Sequence, residues 1–349
     1  MSTSTQSRSA LNRQQTPWVM ALALGLLVAL IAGIFTSAFI WPIKESNAHH
    51  IPLGISGPKQ SLTVMTKQLN ASKADMFDIS TYNDRAEIVH GIKTRSIEGG
   101  VVLNKTGVEV LTASAGNTQV TQILNTLATG MKEQQYASQE ATAQQTSTMT
   151  VTTTDVVKGS TASAAGNLVV LPALIAGIAT AMMATFIIKR PLYRIITLFS
   201  GAILGGLTGA AVLGPWFDVL PGSYGMHALA LGMGILAIGS TVCGLASLLG
   251  KTGLGLGMML MMLIGNPWGG MLVPTEFLPG FMGWIGSHMP NGNVITLMKN
   301  ISFFPEASQS SQWWTFTAWA IAGILMLLAG AAIQQRKQKT ALALSPSAS

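Results

Sequence analysis

Charge and sulfur are what this sequence has least of. Only 9% of its 349 residues are charged, against about 25% in ordinary soluble domains. Cysteine occurs once, at Cys243, which excludes an intrachain disulfide framework and cysteine-based metal centres. In its apolar run it reads as a small packing residue. What the chain does have is 49% hydrophobic residues, 37 glycines and 19 methionines, with a mean hydropathy of +0.45. Together these exclude a disordered chain, a coiled coil and a soluble enzyme, and imply an α-helical polytopic membrane protein.

Six segments are apolar enough to cross about 30 Å of hydrocarbon, which takes about 20 helical residues. They run Trp18 to Trp41, Leu168 to Ile188, Ile195 to Leu213, Met226 to Leu249, Leu254 to about Leu272, and Trp314 to Ile333. The fifth is interrupted by Asn266-Pro267-Trp268-Gly269-Gly270. The first is longer than the roughly 7–15 apolar residues of a signal peptide and reads as a permanent anchor. None of the six contains Asp, Glu, Lys or Arg. Ionisable relays within the membrane are costly and persist for function, so their absence argues against proton coupling and against an intramembrane metal or aspartyl protease.

The formal net charge is +7. A basic balance often marks nucleic-acid binding, but here its placement excludes that reading. Arg8, Arg13, Lys189, Arg190, Arg194, Lys251, Arg336, Lys337 and Lys339 stand on alternate connections and at both termini, with no acidic residue among them. The intervening connections carry Asp218, Glu276 and Glu306 against Lys299, and residues 42–167 hold ten basic and ten acidic residues. By the positive-inside rule, both termini are expected in the cytoplasm. The expected organisation is a cytoplasmic segment 1–17, span one over 18–41, an outer domain over 42–167, spans two to six over 168–333, and a cytoplasmic tail 334–349.

The outer segment is patterned like a small α/β domain. Ile51–Ile55 and Met76–Tyr82 read as strands, and Leu62, Met65 and Leu69 lie at helical spacing between them. Asp84 followed by Glu87 is a helix-capping signature. Val101–Leu103 and Val108–Leu111 flank Asn104-Lys105-Thr106-Gly107, a hairpin signal. A helix is expected from Thr118 to Gln134, and the Ser/Thr/Gln-rich residues 134–165 as a polar stalk returning to span two. His49-His50 has no third ligand at a convincing spacing for zinc. Three Asn-X-Ser/Thr patterns, at Asn70, Asn104 and Asn300, match the glycosylation acceptor, a pattern common by chance.

Gly250-Lys251-Thr252 resembles the end of a phosphate-binding loop, but position 245 is Leu where that motif requires Gly. Lys251 reads instead as a charge anchor between spans. Gly201, Gly205 and Gly209 form a four-residue stripe that lets a second helix approach closely, either at a subunit or gate interface or within the bundle itself. Met258, Met259, Met261 and Met262 form a flexible apolar wall. The 266–313 connection is too apolar for water and too broken by proline to span once. A re-entrant or interfacial helical hairpin is expected there, with Pro274, Phe277, Pro279, Pro290 and Lys299 as its marked residues, lining a cavity or buried in protein.

With one span before an outer α/β domain, five after it, and a proline-rich last outer loop containing Pro274, Phe277-Leu278-Pro279, Ile285, Pro290 and Lys299, the chain resembles the ABC-2-type membrane subunits of exporters, in their phage-infection-protein-like branch. The resemblance implies export of an amphipathic substrate such as a lipid, drug, peptide or lipid-linked glycan. It implies a homodimer or a heterodimer with a similar permease, no cofactor in this chain, and ATP supplied through a partner ATP-binding subunit. It places the coupling turn at Lys189, Arg190, Pro191, Leu192, Tyr193 and Arg194. The competing reading is a membrane-anchored surface, assembly or receptor-like protein that acts through its outer domain without transport.

Overall fold

The computed structural model describes residues 17–46, 48–72, 75–104, 107–141, 150–159 and 166–344. Arg8, Arg13, Lys105 and Thr106 lie outside the described residues, as does the side chain of Trp18. Helix α1 (Pro17–Glu45) leads into the α/β domain that the sequence predicts to lie outside the membrane, the outer domain. There β1 (Ile51–Ser56), α2 (Lys59–Ser72), β2 (Phe77–Thr81), α3 (Arg85–Lys93), β3 (Gly99–Asn104), β4 (Gly107–Thr112), α4 (Thr118–Ala141) and β5 (Thr150–Asp155) follow in order.

The five strands form one sheet in the order β2-β1-β3-β4-β5. β1 is parallel to β2 and β3, β3 and β4 form the expected antiparallel hairpin, and β5 lies parallel to β4. Strand alternation divides the core. Leu53, Ile55, Val101 and Val110 face one way with Leu69 and Leu124, whereas Val102 and Leu111 face Ile88 and Ile92 on the other side. Gly99 and Gly100 permit both layers to come close: a Cβ at Gly99 would overlap Leu124, and one at Gly100 would overlap Ile88. The start of α3 is capped as expected, with Glu87 N donating to Asp84 Oδ1 at 2.9 Å. The Glu87 carboxylate accepts from Asn83 N at 3.0 Å rather than from the cap residue.

The expected stalk is corrected here. α4 continues to Ala141, and Thr150–Asp155 is an edge strand of the sheet. Asp155 accepts from the Ser114 backbone N–H at 3.0 Å and from its hydroxyl. Threonine suits a pleated edge, but a polar run without apolar alternation carries little period-2 signal.

The remaining helices are α5 (Val170–Phe186), α6 (Pro191–Ala211), α7 (Tyr224–Leu249), α8 (Lys251–Met259), α9 (Gly280–His288), α10 (Pro290–Phe303) and α11 (Ser310–Leu344). Among the described residues, five helices are long and apolar enough to cross a membrane: Val19–Glu45, Asn167–Phe186, Pro191–Trp216, Tyr224–Leu249 and Ser310–Thr340. The expected fifth span is the exception. After nine residues α8 widens into a π turn, Leu260–Gly265, then a short turn Asn266–Trp268. Pro267 has no N–H, and its ring collides with a carbonyl in a regular helix, so the backbone widens instead. The same happens around Pro215, in the π turn Val212–Trp216 that ends α6. The basic tail is no separate segment, because α11 runs through Arg336, Lys337 and Lys339.

α7 is the axis of the bundle. In its most apolar stretch, 83% of residues are buried, against α5, α6, α10 and α11. Its buried residues are mostly small, Gly234, Ala237, Gly239, Ser240, Gly244 and Ser247 among them. Ser240 and Thr241 hydroxyls bond back to Ala237 O, which satisfies them without a distant partner. Gly323 and Gly330 of α11 lie against the backbone of Ser240 and Ser247, the close approach that packs helices in lipid.

Candidate functional site

The most chemically loaded region lies where the outer domain meets the 266–309 connection. Val273, Phe277, Leu278 and Met282 join the core on one face of the sheet, and Phe304 and Ala307 join the other. The connection therefore clasps the domain from both sides. An ion pair and a histidine contact add to the second side: Glu306 lies 3.3 Å from Lys93 Nζ and 3.4 Å from His90 Nδ1.

The connection expected as a re-entrant or interfacial hairpin is buried in protein, partly against the outer domain and partly in the bundle. Of its marked residues, Phe277 is buried in the outer-domain core, and Pro274 and Pro279 flank it as the residues before two short helical turns. Pro290 is buried at the first position of α10, where a missing N–H costs nothing. α10 itself belongs to the bundle: Val294, Leu297 and Met298 are in its core. Between these parts the backbones touch. A Cβ at Gly286 would overlap Trp268 O. Asn291 Nδ2 donates to Met261 O at 3.1 Å and to Asn266 Oδ1 at 2.6 Å, so a side-chain amide occupies a carbonyl of the π turn away from water.

Four charged side chains converge at the clasp. Arg95 follows α3, with its backbone at φ 58°. It donates to Asn300 Oδ1 at 3.0 Å, lies 3.8 Å from Glu98 Oε1, and stacks over the Phe304 ring at 5.3 Å. Lys299 of α10 donates to Gly116 O at 2.9 Å. Glu276 completes the group. Burial is the largest influence on both shifted groups. It raises Glu98 above the usual carboxylate range, with Arg95 opposing and Glu276 reinforcing. It lowers Lys299 to about 8, with Arg95 reinforcing and Glu98 and Glu276 opposing. Desolvation disfavours whichever form is charged, so burial at the clasp works against the charge on both Glu98 and Lys299 while the opposite charges beside them work for it. Only Lys299 was marked in the sequence. Arg95 and Glu98 sit in a turn without motif, some 200 positions from their partners. Asn300, one of the glycosylation patterns, is buried on Arg95 and inaccessible to such modification.

The six residues of the basic turn separate into two kinds. Arg194 caps the end of α5, donating to Ile188 O at 2.8 Å and Thr185 O at 3.3 Å, and reaches Ser247 Oγ of α7 at 3.1 Å. It satisfies carbonyls that a helix end leaves open. Lys189, Arg190, Leu192 and Tyr193 are exposed, and Pro191 opens α6. The glycine stripe is half-buried and packs within the chain: Gly201 lies on Thr180 of α5, Gly205 on Ile235 and Gly209 on Leu231 of α7. The closest approach belongs to the neighbouring register, Leu198, Ala202, Gly206 and Ala210, where a Cβ at Gly206 would overlap Ala228 O. The methionine wall divides, with Met261 in the core and Met259 and Met262 exposed. Gly250-Lys251-Thr252 is a helix-to-helix turn, with Gly250 ending α7 at φ 68°, the left-handed conformation that favours glycine. Among the described residues, no group of three or more His, Cys, Asp or Glu is placed to hold a metal ion.

No protein-family model, curated protein or solved structure matches this chain.

Proposed function

We propose that this chain is the membrane permease subunit of an ABC-2-like exporter. It moves an amphipathic substrate with energy from a separate ATPase, and works with a second copy or a similar chain. Its setting is the bacterial cytoplasmic membrane, with both termini inside. The observation that supports this reading is the position of α7. At one end it is joined to the basic turn through Arg194 and Ser247. At the other, His227 Nε2 meets Ser302 Oγ of α10 at 2.9 Å, and α10 carries Lys299 into the outer clasp. One packed helix thus links a solvent-facing basic turn to the outer domain. That is the arrangement required if work done by a partner at one face is to be felt at the other.

The decisive experiment is extraction from native membranes in mild detergent, followed by vesicle transport. The expected result is a co-purifying ATPase that is lost in a Lys189→Glu/Arg190→Glu variant, with folding intact because both side chains are exposed. If no ATPase accompanies the chain and ATP drives no transport, the exporter reading fails. The alternative, a membrane-anchored surface protein acting through its outer domain, draws support from the polar cavities at the clasp. It predicts that charge reversal at the turn leaves all partner binding unchanged.

A further inference from the structure

Two polar cavities of about 120 and 340 Å³ lie at the clasp and share Arg95, Thr275, Glu276 and Thr296 as a common wall. The smaller also touches Asn117, Asn167 and Lys299. The larger also touches His288, Asn293, Ser311 and Gln312. Its volume falls in the range of small-ligand sites, about 300–1,000 Å³.

The lining narrows the chemistry. Charge in the shared wall is balanced, one guanidinium against one carboxylate. A free anion would meet Glu276 in either cavity, and an organic cation would meet Arg95 in both and Lys299 in the smaller. The cations already donate, Arg95 to Asn300 and Lys299 to Gly116 O. The groups still in want of partners are acceptors. Among the described residues, Asn167 Oδ1 at the smaller cavity and Gln312 Oε1 at the larger are buried without a hydrogen bond. Glu276 lines both cavities and is exposed, so its carboxylate can accept from a ligand in place of water. Buried polar atoms are ordinarily paired, so a neutral ligand rich in donors complements this surface. The hydroxyls of Thr275 and Thr296 can serve either way. At the edge of the larger cavity, Trp284 is 65% exposed and lies 4.7 Å from the His288 ring, an apolar platform beside polar groups.

We propose that the larger of these cavities binds a neutral polyhydroxylated group, a saccharide ring or its like. Its hydroxyls donate to Gln312 and Glu276 and accept from Arg95, while its C–H face rests on Trp284 beside His288. The site stands on the geometry of the clasp and requires neither an ATPase nor transport.

The test is calorimetric titration of the full-length chain in a sugar-free detergent, with glucose, N-acetylglucosamine, inorganic phosphate and glycine betaine as probes. Saturable binding is expected for a sugar and not for phosphate or betaine. Gln312→Leu and Glu276→Gln should each weaken it by about tenfold, the scale of one lost hydrogen bond to a polar ligand. Glu276 is exposed, so its variant should keep the parental melting temperature and separates lost binding from lost folding. Repeating the titration with a glucosylated lipid in nanodiscs distinguishes a free sugar from a lipid headgroup. The proposal is overturned by the absence of saturable binding to either sugar and to the glycolipid, by preference for phosphate or betaine, or by sugar binding that both variants leave unchanged.

Discussion

The outer domain and the helical bundle exclude solvent with opposite kinds of residue. The sheet is packed by Ile51, Leu53, Ile55, Val101, Leu111 and Leu124, each buried to within 1% of its surface. At the heart of the bundle, α7 and α11 meet through Ser240, Gly244, Ser247, Gly323 and Gly330. In water, burial of large apolar side chains is itself the driving force. Among lipid chains that force is gone, and association rests on close contact between surfaces with little side chain in the way. The outer core should therefore suffer when a side chain shrinks, and the bundle when one grows.

The sharpest way to break that comparison is at the clasp, where a segment of the bundle connection supplies the outer core. Phe277→Ala should cost about 4 kcal/mol, within the range for a buried aromatic truncated to alanine. It should also loosen the outer domain, seen as faster proteolysis within residues 51–155 while the helical signal persists. An unchanged proteolysis pattern would mean that Phe277 is no part of that core. The opposite perturbation is Gly323→Leu, which should cost about 2 kcal/mol through overpacking against the α7 backbone and lower the thermal midpoint in detergent. If it is tolerated as readily as an exposed substitution such as Leu325→Ala, the small-residue account of the bundle is wrong.

The smallest effect belongs to the partly exposed ion pair of Arg85 and Glu109, whose contacts are 2.8 and 2.9 Å. The hydrogen bond from Arg85 is the largest influence holding Glu109 below its usual range, burial opposes it, and Thr154 of β5 also donates to it. A carboxylate with a lowered pKa stabilises the fold above its ordinary value near 4.3 and loses that contribution as the pH falls. Glu109→Gln should then cost about 1 kcal/mol at neutral pH, discounted because Arg85 is 47% exposed. The gap between variant and parent should close in acid, measured by denaturant unfolding at both pH values.

Local chemistry made much of this architecture legible in the sequence. Asp84 and Glu87 announce a helix start, Asn104 to Gly107 announces a hairpin, and uncharged apolar runs announce α5, α6, α7 and α11, because each signal is complete within a few residues. The glycine stripe of α6 was legible as a packing feature but not in its partner or its exact register. The expected fifth span is not among the long apolar helices of the described residues, because hydropathy reports apolar length and not whether Pro267 lets the helix stay regular.

What the sequence by itself determined is the set of elements that fall to periodicity, capping and hydropathy, all of them local properties of the backbone. Tertiary structure alone decided that Thr150–Asp155 joins a sheet, that Phe277 and Phe304 clasp the outer domain from its two faces, and that Arg95, Glu98, Glu276 and Lys299 meet. Those contacts join residues far apart in the chain. The apolar contacts gain from burial, and the charged ones from complementary charge that offsets their desolvation once the surrounding core has formed; neither can be read from any single stretch of sequence.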